Sequence, residues 1–422
     1  MSSTPGDRAA AEVSRPAGDL ARSVPRVVRG PRPRGPRAWP WWVQTLVVYG
    51  LARAVSAAIL VAVSRAQAEN PWTGAAPPYL VYVARMWDAS WYEQVWAHGY
   101  PADLPVGADG QVQQNAWAFF PLFPFLVRAL HLATGAGWDV LAPTVALVCG
   151  AGAVLLVHRL VATAGRAAVV RRPGLPLATV LVVSVFPSSP VLQVAYTESL
   201  ALLLVAASLL LLSRCRYGWT AVTVLLLGLA RAVALPMAAV VVWHAFVRWR
   251  RGELSPRDGV RLGGLFVVAL VAGLVWPWVC TLVTGTDQAY LRTQEAWRSG
   301  AAVVPFLPWL DVSRWLLGGA GAWLLVLLLL AVAGLVLNPV AARLGPEMQA
   351  WAGAYLGYLV ATIQPGTSLV RFLLLAFPLG AVGVGWTRSR AWLAVVVLVG
   401  VAGQVWWVWE LWRLVPPSGW PP

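Results

Sequence analysis

Residues 41–63 read WWVQTLVVYGLARAVSAAILVAV. A run of about 20 mainly apolar residues is what an α-helix needs to cross the hydrocarbon core of a bilayer. Similar runs recur along the chain, among them residues 141–160, 262–283, 316–337 and 391–411. Backbone polar groups in lipid must be satisfied within their own segment, so such runs form helices. The sequence therefore specifies an all-α, polytopic membrane protein. Composition agrees: of 422 residues, 59% are hydrophobic and 12% are charged, where soluble domains carry about 25% charged residues. Mean hydropathy is +0.66.

The formal charge is +15, and all 32 basic residues are arginine. A basic excess can mark a nucleic-acid binder, but these arginines sit mainly in short loops between apolar runs. The positive-inside rule accounts for them without a polyanionic partner. Residues 1–38 are rich in Pro, Gly, Ser and Arg and read as a disordered cytoplasmic tail. Their cluster Arg26, Arg29, Arg32, Arg34, Arg37 either fixes the tail inside or touches anionic lipid. No cleavable signal is read at this end. A tail inside puts loop 64–117 outside. Charge alternation then gives a membrane domain over 39–415 with about ten crossings and a short external tail, 416–422. Abundant Ala, Val, Gly and Arg without lysine fits a GC-rich bacterial genome.

Three cysteines and four histidines are scattered, without metal-ligand or disulfide spacing. No phosphate-cradling glycine loop or nucleophile elbow is present. No cofactor and no metal are expected. Three stretches break the apolar pattern. Phe119–Phe125, FFPLFPF, has two prolines three apart, predicting a broken, re-entrant or interfacial segment. Residues 219–246 have basic clusters on both sides and Arg231 in the middle, followed by Pro236. An arginine at membrane depth is expensive and functional by default. The stretch therefore reads as two half-helices in a re-entrant hairpin, both ends inside, with Arg231 at the tip. Glu198 opens a span near the outer face, where the helix dipole favours a carboxylate; it is either part of a site or an acid of the cap region.

The outer loop contains Arg85-Met86-Trp87-Asp88-Ala89-Ser90-Trp91-Tyr92-Glu93 and then His98-Gly99-Tyr100. As one helix it sets Arg85, Asp88 and Tyr92 on one side. Trp87, Trp91 and Val95 form an adjoining stripe suited to the membrane–water interface. Glu93 would point about 140° away from Asp88, toward solvent. One reading is a carboxylate beside a cation at headgroup height, a base for a lipid-linked substrate. The other is an interfacial helix with aromatic anchors and a structural Arg85–Asp88 pair.

Five motifs follow in order: Trp87-Asp88-x-x-Trp91-Tyr92; Ala97-x-Gly99-Tyr100-Pro101; Phe119-Phe120-Pro121-Leu122-Phe123-Pro124; Phe186-Pro187-x-Ser189; Tyr196-Thr197-Glu198-Ser199. Together with Leu229-Ala230-Arg231 and Arg371-Phe372-x-x-x-x-Phe377-Pro378-Leu379, this series resembles the PIG-V family of membrane mannosyltransferases, which includes the second mannosyltransferase of GPI-anchor synthesis and bacterial relatives. Ala89 departs from the pattern, where glycine is usual. The resemblance runs from about Trp39 to Arg390. It implies a GT-C glycosyltransferase fold, a catalytic acid in the first extracytoplasmic loop at the position of Asp88, and a polyprenyl- or dolichyl-phosphate sugar donor. It also implies mannose as the sugar and inversion at its anomeric carbon.

The chemistry required is coherent with these residues. A carboxylate can take the acceptor hydroxyl's proton, and cations must stabilise the departing phosphate. Arg371 and Arg231 are the candidates for the phosphate. Arg85, Trp87, Trp91, Tyr92 and Tyr100 are the loop's candidates for substrate contact, with Tyr196 and Glu198 from the later motif. The expected acceptor is a glycolipid, lipoglycan or protein outside the cell. The rival class is a transporter or lipid flippase, which also uses broken helices and intramembrane arginines. Against it, no internal repeat relates two halves, and the polar residues gather toward the outer face.

Overall fold

The computed structural model describes residues 39–298, 300–301, 304–415 and 422. The expected tail 1–38 and nearly all of 416–422 lie outside the described residues. Regular structure among the described residues is helical apart from one bridge between Val106 and Val112, and the protein is an all-helical, multispan membrane protein. The first part runs α1 (Trp41–Arg65), α2 (Tyr79–Arg85), α3 (Asp88–His98), α4 (Leu122–Thr134), α5 (Trp138–Thr163), α6 (Arg166–Arg171), α7 (Leu175–Ser184) and α8 (Glu198–Ser213). Then come α9 (Tyr217–Ala230), α10 (Pro236–Arg250), α11 (Pro256–Thr284), α12 (Ala289–Ala296), α13 (Leu307–Leu317) and α14 (Gly321–Leu337). The last are α15 (Pro339–Arg343), α16 (Pro346–Thr362), α17 (Leu369–Phe372), α18 (Phe377–Gly385) and α19 (Arg390–Trp407).

Among the described residues, five helical stretches have the length and apolarity of a crossing: Trp41–Arg65, Trp138–Thr163, Pro256–Thr284, Leu307–Arg343 and Arg390–Trp412. Five more apolar helical stretches are only 10–17 residues long. Against the expected ten crossings, the described residues thus hold five helices of crossing length and five shorter apolar ones. The interruptions position the site. Segment 175–193 is a ten-residue α7, a turn, and a 3-10 stretch at Ser189–Gln193. Its free carbonyls are taken up by Arg53, from the middle of α1. The Arg53 guanidinium donates to Ser184 O at 2.6 Å, to Ser189 O, and to Ser189 Oγ at 3.0 Å.

The prolines of FFPLFPF do not break a helix; they start one. Pro121 caps α4 and Pro124 lies in its first turn, where an N–H has no intrahelical partner to lose. Residues 219–246 do form two half-helices, α9 and α10, joined through residues 231–235 with Pro236 opening the second. Both pack on α11. Gly228 makes that contact close: a Cβ there would lie 2.1 Å from the Ala272 carbonyl oxygen.

At the centre, α5 packs against α7 and α8, and α8 against α9. Most of α8 is buried, as an all-round apolar helix inside a bundle should be. By contrast, α14 is more apolar still but exposes Trp323, Leu327 and Leu330. Continuous exposed apolar helices of this kind are lipid-facing surface. A smaller cluster of Leu104, Trp117, Phe120, Trp276, Cys280 and Ala289 fastens the loop after α3 to α11 and α12.

Candidate active site

The site is assembled at four helix ends. The first is the N-terminus of α3. The chain does not continue as one helix from Arg85: α2 ends there, and Trp87 turns at φ 59°, ψ −129° before Asp88 starts α3. Positive φ is strained for a bulky residue. Packing over-determines it here: Trp87 Nε1 donates to Trp412 O at 2.7 Å, and its ring lies 5.1 Å from that of Trp72. The Asp88 backbone N–H, unpaired by the helix itself, donates to the Tyr196 hydroxyl at 3.1 Å.

This break corrects the expected Arg85–Asp88 pairing. Arg85 instead forks Asp139, at the start of α5, through Nε at 2.8 Å and Nη2 at 3.1 Å. Its Nη2 also lies 3.5 Å from Glu93 Oε1. Glu93 is therefore half-buried against Arg85, not directed freely into solvent as expected. Its carboxyl is pushed up by burial, while the hydrogen bond that Arg85 donates to Asp139 raises Arg85. Asp139 was passed over in the sequence; its only signal is that of a first-turn acid.

The partner of Asp88 comes from 283 residues away. Arg371, in α17, places Nη1 at 2.6 Å from Asp88 Oδ2. The same nitrogen lies 3.6 Å from Glu198 Oε1, and Glu198 Oε1 is 2.9 Å from Arg231 Nη1. The result is an alternating row, Asp88–Arg371–Glu198–Arg231. Arg371 is 7% exposed and Glu198 1%, whereas the Asp88 side chain is 21% exposed. The acid at the accessible end is thus Asp88. Arg231 also donates to Thr197 Oγ1 at 3.1 Å, and Thr197 Oγ1 is 3.1 Å from the Tyr92 hydroxyl. Aromatic faces floor the cations: Arg371 lies 5.2 Å from the Tyr196 ring, and Arg231 4.8 Å from that of Phe372. Neither Glu198 oxygen nor Arg371 Nε has a well-angled hydrogen bond among the described residues.

Of the sequence candidates, Asp88, Tyr92, Tyr196, Glu198, Arg231 and Arg371 meet here. Trp87 shapes the turn. Trp91 stacks on Phe119 at 5.7 Å and meets Trp297 edge-on at 5.3 Å. Tyr100 donates to Phe119 O at 2.8 Å and stacks on Trp117 at 4.6 Å. Arg85 belongs to the separate Asp139 group. Thr197, which couples Tyr92 to Arg231, was not singled out beyond its place in a motif. Among the described residues no three His, Cys, Asp or Glu side chains cluster as a metal set would. The groups that can bind an anion are Arg371 and Arg231. Two guanidiniums, one buried and one half-buried, held by two carboxylates can accept a phosphate by exchanging partners, and the displaced carboxylate is then a free base.

No protein-family profile matches the chain, and no curated protein matches it. Among solved structures it is similar to the archaeal oligosaccharyltransferase AglB from Archaeoglobus fulgidus, determined in complex with an inhibitory peptide and a dolichol-phosphate. That likeness has TM-score 0.43 and 11% identity, and covers 88% of this chain and 56% of the other. A second structure of an Archaeoglobus fulgidus oligosaccharyltransferase, in complex with Zn and sulfate, gives TM-score 0.43, 13% identity, and coverage of 89% and 54%. The chain spans little more than half the length of these structures.

Proposed function

We propose that the protein is a membrane glycosyltransferase of GT-C type. It moves a sugar, mannose by the PIG-V resemblance, from a polyprenyl-phosphate donor to an extracytoplasmic acceptor, with Asp88 as base. The observation that carries this reading is the 2.6 Å contact between Asp88 and Arg371. It sets a partly accessible carboxylate against a buried guanidinium with a second arginine behind it. The donor's phosphate, entering from the lipid side, competes with Asp88 for Arg371. Once displaced, the Asp88 carboxylate accepts the proton of the acceptor hydroxyl. The hydroxyl oxygen forms a bond to the anomeric carbon as the bond from that carbon to the phosphate oxygen breaks. Its electron pair leaves on the polyprenyl phosphate, whose charge Arg371 and Arg231 stabilise. Glu198 holds the two arginines in place. N-terminus inside and active site outside is the orientation this reading requires.

The broken α9–α10 segment with Arg231 against Glu198 is also a feature of transporters. Purified protein in detergent separates the two readings. Incubated with labelled polyprenyl-phosphate-mannose and an extract of membrane glycolipids, a transferase passes label to a product without a sealed membrane. Donor binding with no labelled product in detergent, but substrate movement in sealed vesicles, would replace the transferase reading.

A further inference from the structure

A cavity of about 340 Å³ opens beside α3, near the lower end of the roughly 300–1,000 Å³ of small-molecule sites. Its walls include Trp91, Gln94, His98, Tyr100, Gln114 and Asn115, and the remaining lining residues are glycine, proline and alanine. No charged side chain lines it. The side chains of Gln94, His98 and Gln114 are exposed and make no hydrogen bond among the described residues. Asn115, in contrast, is fixed: its amide donates to Gln113 O and Thr293 Oγ1, and its oxygen accepts from Trp117 N. The loop carrying Gln114 is a tight hairpin, with Gly107 N bonded to Gln111 O at 2.9 Å and Gln113 N to Pro105 O at 2.8 Å. The walls are therefore built, and the polar groups facing the opening are unspent.

The chemistry of these groups selects a ligand class. An amide offers both donors and acceptors, as does a hydroxyl, so Gln94 and Gln114 match neighbouring hydroxyls. An indole face such as that of Trp91 covers the apolar C–H side of a sugar ring. The absence of charge disfavours an anion. Position links the cavity to the site. At 100° per residue, Trp91, Gln94 and His98 fall within an arc of about 60° on α3, and Asp88 lies one turn before Trp91. His98 is about 15 Å along the axis from Asp88, a length of two or three sugar rings.

We propose that this cavity is the acceptor's saccharide subsite, taking a neutral, hydroxyl-rich glycan that runs along α3 with its reacting hydroxyl at Asp88. This rests on the transferase reading. Trp91 is the platform, and Gln94, His98 and Gln114 set specificity.

The test is saturation-transfer NMR on the full chain in detergent, with methyl glycosides of mannose, glucose, galactose and arabinose as probes and a neutral hexapeptide as a further arm. Acceptor KM is measured in parallel. At least one glycoside should receive saturation, and the signal should fall several-fold in Gln94→Leu and Gln114→Leu, which are exposed and do not threaten folding. Trp91→Ala should abolish it and Trp91→Phe should restore part of it. In transfer assays the two Gln→Leu variants should raise acceptor KM several-fold while donor KM holds. Absence of glycoside binding in wild type, binding unchanged in both Gln→Leu variants, or peptide binding that alone responds to them would overturn the subsite. Transfer with unaltered acceptor KM in these variants would reject the subsite and leave the transferase standing. Glycoside binding that depends on Gln94 and Gln114, without any transfer, would keep a saccharide site and reject the transferase.

Discussion

Asp88 occupies the first position of α3 with its carboxylate on Arg371 and its N–H on Tyr196. Asp88→Asn keeps its size but removes the basic oxygen. Loss of a general base typically lowers rate by about 10²–10⁴-fold, so sugar transfer should fall that far while donor binding is kept or tightened, since Arg371 loses its competitor. Glu93→Gln should leave transfer near wild type, because Glu93 serves the Arg85–Asp139 group. Initial rates of both variants with labelled donor decide the point; the reverse order would remove Asp88 from the reaction. Arg371→Ala should raise donor KM and lower kcat, since the guanidinium faces phosphate before and after bond cleavage. Arg231, shielded by Glu198 and Thr197, should show the same pattern more weakly. Steady-state kinetics of the two arginine variants, with donor varied, measure that ranking. The sequence exposed Asp88 through its motif and Arg231 through its depth. It did not expose their partners, because an ion pair between residues 283 apart leaves no local spacing to read.

Helix ends, more than helix faces, carry the site, so the interruptions of α7–α8 and α9–α10 matter. Arg53 shows what an intramembrane arginine can do other than catalysis: it fills the carbonyls left open where α7 stops. The rule that such an arginine is functional by default takes in Arg53 as well as Arg231; Arg53 is spent on backbone carbonyls, whereas Arg231 meets the Glu198 carboxylate. The α9–α10 segment packs on α11, and α9 meets it closely at Gly228. A valine there would drive its Cβ into the Ala272 carbonyl and force the helices apart, a kind of overpacking that typically costs about 1–3 kcal/mol. Gly228→Val should therefore lower the apparent Tm in detergent and, by shifting Arg231 against Glu198, reduce transfer. A thermal unfolding curve indistinguishable from wild type would show that the close approach is dispensable.

For the whole molecule, charge asymmetry of the loops sets the orientation. Asp88, Asp109 and Asp287 should face outside and Arg171 inside. In a background lacking Cys149, Cys215 and Cys280, single cysteines at Ala108 and Ala167 report the two sides. Both positions are exposed, whereas neighbouring Ala168 is buried. An impermeant thiol reagent on intact cells should label Ala108→Cys and spare Ala167→Cys. Equal labelling would overturn the orientation and with it an extracytoplasmic site.

Composition and periodicity by themselves determined that this chain is an all-helical membrane protein, because bilayer thickness sets run length and the backbone must satisfy itself in lipid. Motif order singled out Asp88 as the candidate base. Proline and arginine placement marked the α9–α10 break. Only the tertiary structure decided that Asp88 pairs with Arg371 and not Arg85, because a single strained residue, Trp87 at φ 59°, turns the chain between two short helices that the pattern reads as one. It also decided that Glu198 lies between two guanidiniums. Charges buried in a low dielectric must find partners wherever the fold brings them, and that choice is made by packing between helices distant in sequence, which no local pattern records.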